Sequence, residues 1–312
     1  MYNRNEIIAW LLKGDVSIQY QTHRDLFHSD KNILQNLQKR IETEGWGAKF
    51  LALQRPDGHW GIHFYQPKWT STHYTILDLK NLGFPPGNIH LDTMVKRILN
   101  EKKCPDGGID YSRSLGVSDV CLNGMVLNYG AYFRNIDEGF DSIIENLLKN
   151  QMSDGGWNCE NYRGAVHSSL HTTLSVLEGF LEYRKAGGCY RLSEIKAVEK
   201  EGVEFILKHR LYKSHRTGEI IKKQFLTLSY PSRWKYDILR CLDFFNDAQI
   251  PFDERMSDAI EVLLKKRGKD GRWNLQANHP GQVHFAMEQV GQPSRWNTLR
   301  AMRALEHFGV KL

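Results

Sequence analysis

The chain has 312 residues, 41% of them hydrophobic, and a formal net charge of +6. No apolar run approaches the roughly 18 residues that suggest a membrane span, and no cluster of Lys and Arg is dense enough for a nucleic-acid surface. Five scattered cysteines without a C-x-x-C pair (Cys104, Cys121, Cys159, Cys189 and Cys241) fit a reducing cytoplasm better than a disulfide framework. Residues 2–13 are too short and too polar to be expected to act as a secretory signal.

In chain order the pattern predicts alternating outer and inner helices. An outer helix over 5–13 precedes an inner one over 16–27, and residues 32–54 form the next outer element. Inner helices are then expected over 70–82, 118–133, 168–183, 232–245 and 294–308, with outer ones over 91–103, 137–151, 194–209 and 253–267. In 137–151 the residues Phe140, Ile143, Ile144, Leu147 and Leu148 make a single apolar stripe, the mark of a helix with one wet face. The inner set is apolar almost all round, so it is expected to be buried, with Ser118, Ser168, Ser232 and Ser294 as N-caps.

Turns of one kind punctuate these pairs. They read Asp57-Gly58-His59-Trp60, Asp106-Gly107-Gly108-Ile109, Asp154-Gly155-Gly156-Trp157 and Asp270-Gly271-Arg272-Trp273. The first three are just under fifty residues apart, the period of a two-helix repeat. Asp and Gly are strong turn formers, and a Trp after the turn can wedge between layers. Pro-Ser-Arg-Trp also recurs, at 231–234 and 293–296, each time where an inner helix is expected to begin. Six inner and six outer helices are enough to close a ring, so the expected fold is a single all-α domain over 1–312, an (α/α)6 toroid. Longer connectors near 211–230 and 274–292 are expected to fold over one mouth.

These Asp-Gly-x-Trp repeats between paired helices resemble the α/α-toroid superfamily of protein prenyltransferase β-subunits, squalene cyclases and related terpene cyclases. The resemblance covers nearly the whole chain. It implies an enzyme that acts on an isoprenoid or other amphipathic anion in a central cavity. The Asp-x-Asp-Asp motif of the cyclases is missing, and the lone carboxylate at the comparable position is Asp119. The prenyltransferase β-subunits hold a catalytic zinc with an Asp-x-Cys pair and a His on the next inner helix. Here the matching residues are Asp119, Cys121 and His171. Cys121 lies 12 residues after Ile109 and His171 lies 14 after Trp157, so the two share a height in the repeat. Such a set leaves a fourth zinc position open to substrate. His73, 13 residues after Trp60, is a candidate general base or extra ligand.

Two further features point to substrate contacts. Lys68, Arg113, Arg163, Arg233 and Arg295 lie at or before inner-helix starts, where free N–H groups favour anions. Trp69, Trp234, Tyr236 and Trp296 are candidates for an aromatic cavity wall, alongside Tyr20, Tyr74 and Tyr129. Three readings stay open: zinc-dependent transfer, a metal-free cyclase with Asp119 as acid, and a non-catalytic toroid that binds a lipid or a protein. A separate partner subunit is also left open.

Overall fold

The computed structural model describes residues 3–112, 116–134, 136 and 138–311. Among them every extended regular element is helical, and β-pairing is confined to isolated bridges. In chain order the helices are α1 (Arg4–Leu12), α2 (Val16–Asp25), α3 (Lys31–Arg40), α4 (Gly45–Ala52), α5 (Thr72–Leu82), α6 (Ile89–Glu101), α7 (Val120–Phe133), α8 (Asp141–Lys149), α9 (Leu170–Lys185), α10 (Leu192–Lys208), α11 (Ile238–Asp247), α12 (Ser257–Lys265) and α13 (Arg295–His307). No helix is long and apolar enough to cross a membrane.

The outer element expected over 32–54 is two helices. Gly45 sits at φ +63°, and the Asp15 carboxylate accepts a hydrogen bond from the Trp46 N–H at 2.8 Å. A left-handed glycine with an outside acceptor for the next amide ends one helix and starts another.

Burial follows the two-layer pattern. Every residue of α7 except Tyr132 is buried, whereas α8 buries Ile143, Ile144, Asn146 and Leu147 and leaves its other face wet. The buried hydrophobic side chains form one connected cluster from Ile7 to Leu305.

The Asp-Gly turns tie the layers together. Gly58, Gly107, Gly155 and Gly271 all have φ between +79° and +94°, a region that favours glycine. In the three Trp copies the indole N–H donates to a carbonyl ten residues upstream on the outer helix: Trp60 to Phe50, Trp157 to Leu147 and Trp273 to Leu263, at 2.6 to 2.7 Å. The same residues donate their backbone N–H to a threonine hydroxyl of the inner helix, Thr72, Thr173 or Thr298. In the Ile copy the Asn123 side chain takes that role, accepting from the Ile109 N–H at 2.7 Å.

The serines expected as N-caps divide. Ser294 caps α13. Ser118 and Ser168 instead donate back to the turn carboxylates of Asp106 and Asp154, and α7 is capped by Asp119. Ser232 lies ahead of its helix, because α11 begins at Ile238 with Asp237 as its cap.

Two inner helices come close enough to touch backbones. A Cβ on Gly124 of α7 would lie 2.6 Å from the Ser175 carbonyl oxygen, and one on Gly179 of α9 would lie 2.5 Å from that of Gly124. The chain ends also meet, with Arg4 pairing with Glu306 and α13 packing on α2.

Trp273→Ala is expected to destabilise the protein by about 3–5 kcal/mol, the usual consequence of emptying a buried Trp site. Gly156→Ala puts a Cβ 2.5 Å from Thr173 Oγ1, so a loss of about 1–3 kcal/mol is expected from overpacking. Urea unfolding followed by far-UV circular dichroism measures both. Wild-type midpoints in both variants would show that the turn does not clamp the layers.

Candidate functional site

The α7 and α9 entries open on a cavity of about 380 Å³. Cys121, Cys159, His171 and Trp234 line it together with Leu170, Phe205, Phe225 and Lys222. Cys121, His171 and Trp234 come from three separate segments and line one space, and the first two are the pair that repeat phase put at one height. Phe225 and Lys222 belong to the basic, aromatic connector that was expected over a mouth.

His171 is held by one hydrogen bond with a clear direction. Its Nδ1 accepts from the Tyr236 backbone N–H at 2.8 Å, so the neutral ring carries its proton on Nε2. Burial, reinforced by the charges of Lys222, Arg240 and Lys235, pushes the imidazole down from 6.5 to about 3. The ring stands edge-on to Phe225 and Trp234, with centroids 5.2 and 5.1 Å away.

Cys121 has its Sγ 3.7 Å from Ser175 Oγ. Burial and then the Asp119 charge push its thiol well above the ordinary range. Ser175 Oγ donates to the His171 carbonyl and accepts from Arg240 Nη2 at 3.2 Å. Asp119 does not line the cavity. Its Oδ1 accepts the N–H groups of Cys121 and Leu122 at 2.8 and 3.2 Å, and burial raises its carboxyl despite those bonds.

These positions bear on the zinc expectation. Asp119 Oδ1 is engaged as a helix cap, His171 Nδ1 is engaged by an amide, and Nε2 is its protonated nitrogen. A zinc-binding imidazole presents a bare nitrogen. No group of three or more His, Cys, Asp or Glu among the described residues is arranged to hold a metal ion. As arranged here, Asp119, Cys121 and His171 do not fit a zinc centre.

The remaining candidates disperse. His73 is fully buried, with Nδ1 3.1 Å from the hydroxyls of both Tyr111 and Tyr129, and it is not among the residues lining the cavity of Cys121 and His171. Desolvation drives it down to about 3, so it serves the packing of a tyrosine cluster instead of a mouth. Trp69 donates its indole N–H to the Pro280 carbonyl at 2.7 Å, and Tyr236 donates its hydroxyl to the Leu211 carbonyl at 2.6 Å. Both are core residues fixed by connectors. Arg163 is exposed and paired with Glu160. Arg113 lies outside the described residues. Lys68 sits over the faces of Trp69 and Trp234, 5.1 and 5.2 Å from their centroids, and so brings a cation close to the Trp234 wall.

Arg233 and Trp296 belong to a second cavity of about 310 Å³, walled by residues of α2, α5, α7, α9, α11 and α13. An aromatic interior was expected, but this wall is largely charged, with seven Lys or Arg and four carboxylates. Ion pairs run from helix to helix around it: Lys80 with Glu182, Glu178 with Arg240, Asp243 with Arg300 and Arg303, and Arg303 with Asp25. Sequence reasoning missed these residues because the inner helices were read as apolar. The available signal was the presence of charges at helical spacing, such as Arg240 with Asp243 and Arg300 with Arg303.

The chain matches no protein-family model and no curated protein sequence.

The His171 geometry has a consequence for acid stability. The unfolded chain protonates this histidine near 6.5 while the folded chain resists to about 3, so the unfolded state binds more protons between those values. Stability therefore falls as pH drops from 6.5 toward 3, and His171→Gln removes that share of the slope. His73, His279 and His284 are depressed too, so a residual slope remains. Urea midpoints across this range should decline less steeply in the variant. An identical slope would show that His171 titrates freely.

Proposed function

We propose that the helix pairs close into an (α/α)6 toroid that binds an isoprenoid or similar amphipathic anion in the cavity beside α7 and α9. Closure is supported by the packing of α13 on α2 and by the pairs Arg4–Glu306 and Arg303–Asp25, which join the chain's beginning to its end. The observation that carries the ligand reading is the makeup of the mouth cavity. Leu170, Phe205, Phe225 and Trp234 offer a hydrocarbon wall, Lys222 lines the same space, and Lys68 lies over Trp234. An apolar tail gains about 25 cal/mol per Å² of buried surface, and the ammonium groups favour an anionic head.

Binding without metal is the preferred form of this reading, because transfer needs an activated group. The Cys121 thiol is held protonated, and both Asp119 Oδ1 and His171 Nδ1 are already engaged. One observation favours a second reading, cyclase-like acid chemistry: burial raises the Asp119 carboxyl and so helps it keep a proton. The cytoplasm remains the proposed compartment, consistent with five cysteines that are all free thiols in this structure.

Farnesyl diphosphate, followed by quenching of tryptophan fluorescence, is expected to bind saturably. Trp234→Ala should weaken it about tenfold, equivalent to about 1.4 kcal/mol. A linear, unsaturable response in the wild type would refute the ligand reading. Turnover of the same compound that disappears in Asp119→Asn would favour acid chemistry over binding alone.

Elemental analysis of untagged protein is expected to find no stoichiometric zinc, and a chelator should leave thermal unfolding unchanged. One zinc per chain, lost in Cys121→Ala, would reinstate zinc-assisted transfer.

A further inference from the structure

The charged cavity contains polar groups that the protein leaves without partners. Arg300 spends its Nε on Asp243 at 3.0 Å, but its Nη1 has no hydrogen-bond acceptor. Arg233 Nε and Trp296 Nε1 are likewise unpaired, and all three residues are at least nine-tenths buried. On the acceptor side, Asn128 Oδ1 makes no hydrogen bond, and the Asp78 carboxylate has only Arg233 Nη2 at 3.5 Å. Asp78 does not line the cavity that the other four share; it pairs with Arg233 and lines a neighbouring space.

Each unsatisfied buried group costs about 1–3 kcal/mol, so several around one space indicate a site built for something that completes them. The donors outnumber what the local carboxylates use. Seven cations line the cavity and each already has a carboxylate partner, so what is left over is hydrogen-bond donors. Trp296 also stacks on Tyr230, with centroids 4.7 Å apart and planes at 18°, which stiffens one side.

We propose that this cavity binds a small hydroxylated anion, a phosphate ester or carboxylate of a polyol, separately from the mouth cavity. The anionic group accepts from Arg300 Nη1, Arg233 Nε and Trp296 Nε1. A hydroxyl group donates to Asn128 Oδ1. A bare hydrocarbon anion leaves that acceptor unsatisfied, and a neutral sugar brings the three free donors no charged acceptor. About 310 Å³ suits a molecule of sugar size.

Isothermal titration of the full chain with four probes tests this: inorganic phosphate, glucose, glucose 6-phosphate and gluconate. At least one of the two hydroxylated anions is expected to bind ten times or more tighter than phosphate or glucose, and the better one identifies the anionic group. Arg300→Lys keeps the charge but removes the free donor, and Trp296→Phe keeps the ring but removes the indole N–H. Each should lower affinity about tenfold while farnesyl diphosphate binding at the mouth is unchanged. Asn128→Asp is nearly isosteric and disturbs no ion pair, so it serves if the other two variants fold poorly, and it should abolish anion binding by repulsion. Saturable binding by none of the probes, or affinities untouched by folded variants, would overturn the proposal.

Discussion

The fold depends on an indole held from two directions. In Trp60, Trp157 and Trp273 the ring N–H is tied to an outer helix ten residues back, while the backbone N–H is tied to a threonine of the next inner helix. Each tryptophan therefore fixes the distance between layers as well as filling it. The turn carboxylate accepts from the serine ahead of the inner helix in two copies, Asp154 from Ser168 in a Trp turn and Asp106 from Ser118 in the Ile turn. Turn, spacer and helix entry thus act as one unit, and the helix entries are where Cys121 and His171 sit.

Inside the layers the chemistry changes from apolar packing to paired charge. Removing a carboxylate and a guanidinium from water costs several kcal/mol each unless geometry and extra hydrogen bonds recover it. Asp243 recovers it with two arginines and Arg303 with two aspartates and Gln21. The result is a charged cavity among helices whose other contacts are largely apolar. That inversion leaves room for a hydrated or hydroxylated guest where a purely hydrocarbon core would close up.

Much of the secondary structure was legible because periodicity and turn chemistry act locally. The helix over 141–149 follows from its apolar stripe, and the break at Gly45 was missed because the Asp15 carboxylate that takes the Trp46 amide lies thirty-one residues from Trp46 along the chain. The two Pro-Ser-Arg-Trp segments look alike in sequence and differ in structure. Ser294 caps a helix directly, while Arg233 takes φ +54° several residues before α11 begins. Repeat phase, which reports height along a helix, put Cys121 and His171 level, and both line one cavity, whereas His73 at a matching height does not line it. Phase does not report what a lone pair faces, and the Tyr236 amide against His171 is a tertiary fact. The charged centre was hidden for a related reason: mean hydropathy over an inner helix conceals one or two ions that only the neighbouring helices can neutralise.

The two cavities are separated by a thin partition. Cys121 belongs to one and Arg240 to the other, and Ser175 touches both, 3.7 Å from the sulfur and 3.2 Å from the guanidinium. Arg240 is also clasped by Glu178 and the Lys235 carbonyl, so it has few ways to move without carrying Ser175 along. Thermodynamic linkage then makes the two spaces correspondents. Whatever free energy a guest in one chamber spends in shifting Arg240 alters the affinity of the other chamber by the same factor in both directions. A guest that moved Arg240 in one chamber would be felt through Ser175 in the other.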